Sequence, residues 1–117
     1  YVFNRDRQDL ELLEEGDFRY QSGSLGMGQA LPADASVNLY FMLDLQKTLG
    51  TYGNRGYRAA QLEASVMAGN IYLAAYAQRL GATGLTFYDD AVTQFFSPHA
   101  KDKSVMFLVA VGKRASL

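Results

Sequence analysis

Cysteine is absent from the 117 residues, which excludes disulfides, thiolate nucleophiles and cysteine-bound zinc together. A single histidine, His99, is too few for a histidine-rich metal site. Redox chemistry here therefore calls for a borrowed cofactor. An excess of charge is lacking too. Eleven Lys and Arg against twelve Asp and Glu leave a formal charge of -1, so no broad electrostatic footprint points to nucleic acid or to an anionic membrane. No apolar run is long enough to span a bilayer, because Gln61, Glu63, Asn70 and Arg79 interrupt the longest one, between Ala59 and Leu80. The chain opens on Tyr1 with no charged, apolar leader ahead of the strand-like Tyr1-Val2-Phe3, which predicts a true N-terminus elsewhere. A cytoplasmic globular piece with one core is expected, since 49% of the residues are hydrophobic.

What is present alternates between strand and helix signals. Asp9 to Glu14 partly alternates acidic and apolar residues, as a strand with one wet face does, and Glu15-Gly16-Asp17 reads as its turn. Asp17 is then placed to cap a short helix, weakened by Gly23, Gly26 and Gly28 and ended by Leu31-Pro32. Val37 to Leu43 is apolar enough for a central strand buried on both faces. Thr48 to Gly56, with Gly50, Gly53 and Gly56, reads as a loop. Tyr57 to Leu80 carries helical periodicity: Leu62, Val66, Gly69, Leu73 and Leu80 share a face, and alanines fill much of the rest. Small residues nearly all round imply a helix crowded by neighbours, roughly 35 Å long. Gly81 stands where a left-handed C-cap is wanted, and Ala82 to Tyr88 is extended. Asp89 caps a helix through Phe96, stopped by Ser97-Pro98, and Val105 to Val111 is the clearest strand. The mixed order of strands and helices suggests α+β.

Three segments carry chemistry on one reading and structure on another. Leu80-Gly81-Ala82-Thr83-Gly84-Leu85 is either a turn that lets the chain reverse, or a stretch whose small residues admit a flat ligand to the backbone. It is no dinucleotide fingerprint, because the helix precedes the glycines. Lys113-Arg114 after a buried strand is either a solvated terminus or a phosphate clamp, with Arg as a fork and Lys as a point charge. Thr51 to Arg58, with two Tyr and two Arg among glycines, is either a turn packed by aromatics or a substrate-facing loop. Local physics leaves all three open.

The run Arg55-Gly56-Tyr57-Arg58, then Leu62-Glu63-Ala64 and Asn70-Ile71-Tyr72-Leu73-Ala74-Ala75, resembles the long-helix signature of the SagB/ThcOx group in the nitroreductase superfamily. Leu80 to Leu85, Phe87-Tyr88-Asp89-Asp90 and Ala110-Val111-Gly112-Lys113 follow in the group's order. Upstream, the Tyr1 strand, the Glu14 to Asp17 turn and Leu25-Gly26 are similar but less specific. The resemblance implies an α+β nitroreductase-like fold, a mixed sheet around a long central helix. It also implies an extensive homodimer with FMN at each end of the interface and both subunits contributing to each site. Carried over by position, the backbone of Gly84, Leu85, Thr86 and Phe87 would line the flavin, with the N–H near Phe87 or Thr86 facing its reactive nitrogen. Lys113, with Arg114, would hold the phosphate, and the helix from Tyr57 would pack at the dimer interface.

Two departures follow. The family's N-terminal segment, with its arginine-rich phosphate motif, is absent, so residues 1–117 read as the C-terminal portion of one nitroreductase-like domain. Azoline-oxidising members carry Lys-Tyr before the Arg-Gly-Tyr-Arg run, where this sequence has Thr51-Tyr52. A basic amine is thus missing where a proton is taken, and Tyr52 is the remaining candidate acid or base. The expected function is an FMN-dependent oxidoreductase, dehydrogenating a peptide or natural product. The alternatives are an NAD(P)H-dependent reductase of small acceptors and a non-catalytic scaffold that keeps the fold.

Overall fold

A computed structural model of the chain describes residues 1–115. Its first half runs β1 (Val2–Asn4), β2 (Asp9–Glu11), α1 (Arg19–Leu25), α2 (Ala30–Asp34) and β3 (Val37–Leu43). The second runs α3 (Leu45–Tyr52), α4 (Arg55–Ala77), β4 (Leu80–Leu85), α5 (Asp89–Phe95) and β5 (Ser104–Lys113). β1 and β2 form a separate antiparallel hairpin; β3, β5 and β4 form an antiparallel sheet in that order. The fold is α+β, as the sequence led us to expect.

The apolar run of β5 explains its place. Leu108 and Val109 are fully buried on opposite faces of the central strand, so both faces need cover. One is covered by α4, whose Ala60, Ala64, Ala68 and Ala75 lie against Met106, Val109 and Val111, with Phe107 packed alongside. Alanine at these positions lets the helix axis approach the sheet. The other face receives α1 and α5, through a cluster of Leu25, Val92 and Val105 packed by Tyr40, Met42, Phe87 and Phe96. The register slips once, where Phe41 pairs with Phe107 but Met42 with Val105, leaving Met106 as the extra residue of a bulge. That slip is what lets both Met106 and Phe107 serve the α4 side.

Several expectations are corrected. Val37 to Leu43 is a strand with those bounds, but it is an edge strand among the described residues and mostly half-buried, not a doubly buried centre. Thr48 to Gly56 is no loop: most of it is α3, whose first turn is capped by the Asp44 carboxylate accepting from the Lys47 N–H at 2.9 Å. The glycine signal marks only its end, Gly53, at φ 65°. The long helix begins at Arg55 and stops at Ala77; Arg79, at φ 61°, takes the left-handed position assigned to Gly81, so Leu80 and Gly81 belong to β4. Leu31-Pro32 does not end a helix but lies in the first turn of α2, where proline's missing N–H costs nothing. Asp89 is the first residue of α5 rather than its cap, which is Tyr88. The strand read over Asp9 to Glu14 stops at Glu11.

The apolar face of α4 is also reassigned. Leu62, Val66 and Leu73 are exposed, while the alanines opposite them are buried in the core. Periodicity identified a face correctly but not which neighbour covers it.

Candidate functional site

The β4–β5 ladder sets the geometry of the site. Its register pairs Leu80 with Lys113 and Leu85 with Leu108, so Lys113 lies at one end of β4 and Gly84 towards the other. Four residues of strand separate those levels, roughly 13 Å at ~3.3 Å per residue. Leu80 and Ala82 pack into the α4 cluster, and alternation turns Gly84 the same way. A Cβ on Gly84 would lie 3.0 Å from the Phe107 ring and 3.3 Å from the Tyr72 hydroxyl. A side chain there would have to push the Phe107 ring and the Tyr72 hydroxyl aside, so glycine lets β4 lie close to α4. The Gly84 N–H donates to the Tyr72 hydroxyl.

Beyond the strand, Thr86 and Phe87 are held from both sides. The Tyr88 N–H donates to the Leu25 carbonyl at 3.0 Å, and the Phe87 ring packs into the Leu25, Val92 and Val105 cluster. The Gln29 side chain donates to the Gly26 carbonyl at 2.8 Å and reaches the Thr86 hydroxyl at 3.5 Å. The N–H groups of Thr86 and Phe87 themselves find no acceptor among the described residues. A fixed segment with two open backbone donors can recognise the acceptor edge of a flat ligand.

Lys113 ends β5 and Arg114 follows it, both exposed and without an acidic partner among the described residues. Arg114 lies on the opposite face from Lys113, its Cγ 3.1 Å from where a Cβ on Gly81 would stand. Two free cations thus stand at the end of the ladder away from Thr86.

The structure does not bring Thr51 and Tyr52 to this place. Both lie at the end of α3, where the Thr51 hydroxyl donates to the Lys47 carbonyl at 3.1 Å and Tyr52 is 69% exposed. Tyr52 abuts Gly56 at the start of α4, whereas Gly84 meets Tyr72 sixteen residues further along the same helix. That is on the order of 24 Å of helix. Within one chain the proposed acid or base and the glycine segment are therefore apart. Tyr72 and Gln29 are the residues that sequence reasoning missed. In the sequence Tyr72 stands only within a helix motif, and its hydroxyl meets β4 only once α4 lies on the sheet.

Other polar features lie elsewhere. On the hairpin, Glu11 is held below the usual carboxylate range by the partly buried Asn4 amide first and by the exposed Arg7 second, an ion pair of small energetic weight. Burial pushes the Tyr40 phenol up to about 12, so it stays neutral at physiological pH. No group of three or more potential metal ligands occurs among the described residues, and no described helix is long and apolar enough to cross a membrane.

Comparison with known proteins adds a family. The profile of the Nitroreductase family matches residues 5–113. Among solved structures, an assigned nitroreductase from Anabaena variabilis superposes with a TM-score of 0.80 at 29% identity, over 86% of this chain. The match covers 20% of that protein, so the chain spans about a fifth of its length. No curated protein matches the sequence significantly.

Proposed function

Because the chain belongs to the nitroreductase family, we propose that it is part of an FMN-dependent oxidoreductase and supplies one wall of the flavin site. One observation carries the reading: open Thr86 and Phe87 N–H groups stand just past one end of a single strand ladder and the Lys113-Arg114 pair at the other. An elongated ligand with a flat polar ring and an anionic tail suits that arrangement, and FMN has both. When bound, the flavin supplies the hydride acceptor or donor, chemistry that the side chains of this chain lack. Lys113 and Arg114 take the phosphate oxygens, the open N–H groups orient the ring edge, and Gly84 keeps the strand tight against α4. The test is a spectrum. The full-length protein should purify with a flavin absorption band and release FMN on denaturation; a colourless protein that also ignores added FMN defeats the reading in favour of a scaffold.

The assembly completes the proposal. Since about 24 Å of helix separates Tyr52 from Gly84 in one chain, a homodimer packed through α4 is needed to set Tyr52 of one protomer against the site of the other. Within the family, the Arg55 to Ala75 run supports the SagB/ThcOx group and a peptide or natural-product substrate. Thr51 supports a second reading, reduction of small acceptors by NAD(P)H, because threonine has no basic form to take a substrate proton.

The two readings part on substitution. For a reductase, Tyr52→Phe should slow turnover by well under the ~100-fold that an acid–base residue contributes, and Thr51→Lys should bring little gain. For an azoline dehydrogenase, Tyr52→Phe should nearly abolish oxidation of an azoline peptide. Following flavin reduction in the full-length protein, by the peptide and separately by NAD(P)H, decides between them.

A further inference from the structure

Tyr72 has no part in the proposal above, yet it makes the only side-chain hydrogen bond to the Gly84 amide seen among the described residues. It sits on the sheet side of α4, half-buried, with the Tyr76 ring edge-on at 6.3 Å between centroids. Successive amides of an extended strand leave on alternate edges, so the Gly84 N–H leaves on the edge that faces away from β5, and Thr86, just past the strand, carries a second donor. One of these two donors is tied to Tyr72. The other is open.

This pairing has a mechanical consequence. Rotation of the strand end about its own axis would swing the Thr86 and Phe87 N–H groups together, and among the described residues β4 has no further strand beside it to resist that motion. The register with β5 stops at Leu85, so the ladder does not hold Thr86 either. What resists the rotation is the phenol oxygen on the strand side and, past the strand end, the Tyr88 N–H to Leu25 carbonyl bond, the packed Phe87 ring and Gln29 at the Thr86 hydroxyl. Tyr72 accepts one bond there, and its own O–H proton has no acceptor among the described residues.

We propose that Tyr72 is a positioning residue of the flavin site, clamping the Gly84 amide so that the Thr86 and Phe87 N–H groups are presented in a fixed direction. The proposal rests on the FMN reading. It assigns to Tyr72 no contact with the reacting atoms.

The experiment uses the full-length protein with Tyr72→Phe, and Tyr20→Phe as a control that removes an exposed hydroxyl with no hydrogen bond among the described residues. Tyr72→Phe should raise the FMN dissociation constant about 5-fold, the effect of one ordinary hydrogen bond. It should also speed amide exchange locally at Gly84 to Phe87 in the FMN-free protein, and shift the visible flavin band. Tyr20→Phe should do none of these. Wild-type protein that binds FMN, with Tyr72→Phe matching it in affinity, exchange and spectrum, overturns the clamp and leaves the FMN reading standing. Exchange that quickens over the whole chain while the flavin band stays put assigns Tyr72 to packing alone and also overturns it. Wild-type protein that takes up no FMN overturns both.

Discussion

Replacing Lys113 by alanine in the full-length protein should weaken FMN binding about 10- to 100-fold while the melting temperature of the FMN-free protein stays put. The size follows from the loss of a charged hydrogen bond, roughly 1.5–3 kcal/mol. The selectivity follows from the structure. Lys113 is the last residue of β5, exposed, and holds no acidic partner among the described residues, so its removal opens no cavity and orphans no carboxylate. Arg114→Ala should have a smaller effect, because its side chain runs across Gly81 on the opposite face of the strand. Screening adds a second check: the penalty of Lys113→Ala should shrink as salt rises, since a surface cation facing a phosphate is shielded over a Debye length. Titration of FMN by flavin fluorescence at two ionic strengths measures both. An unchanged dissociation constant returns Lys113 to the role of a solvated strand end.

Where the sequence was informative, the reason is local. Val105 to Val111 is an unbroken apolar run that suits only a strand with both faces covered, and β5 is that strand. The reading of Thr48 to Gly56 failed because three glycines outweighed one capping aspartate: Asp44 starts α3, and contact with α4 sustains it. The end of α4 was misplaced because Leu80 and Gly81 continue the composition of the helix, while the break itself rests on the backbone of Arg79, which no composition records. The site divides in the same way. Lys113-Arg114 at a strand end and the small residues of β4 could be picked out one by one. The distance between Tyr52 and Gly84, and the reach of Tyr72 to β4, arise from how a helix lies across a sheet, and residue spacing along the chain does not carry that information.

The same limit bears on assembly, where the structure sharpens the expectation of a homodimer into a specific test on α4. Leu62, Val66, Leu73 and Tyr76 are 59%, 66%, 68% and 53% exposed, and with Gly69 they recur at alternating steps of four and three residues. That is the spacing of a helix seam built to meet another helix. Its length from Leu62 to Tyr76 is roughly 21 Å at ~1.5 Å per residue. Burying each large side chain is worth ~1.5–3 kcal/mol, so a charge set in the middle should be costly. If α4 is the seam of the proposed homodimer, Leu73→Asp should weaken dimerisation of the full-length protein by at least about 30-fold, the scale of an interface hot spot, and sedimentation should give a dimer for wild type and a monomer for the variant. Gly69 gives a test by sign. In the single chain a Cβ added at Gly69 meets nothing within 4 Å, so on a free helix Gly69→Ala should stabilise by ~0.8–1.0 kcal/mol through helix propensity alone. Against a close-packed second copy the same methyl must displace partner atoms, so the gain should vanish or turn into a loss. Melting at two protein concentrations separates the cases, because a dimer's midpoint depends on concentration and a monomer's does not. A concentration-independent midpoint raised by Gly69→Ala would make the stripe a free surface, and would leave Tyr52 with no partner site to reach.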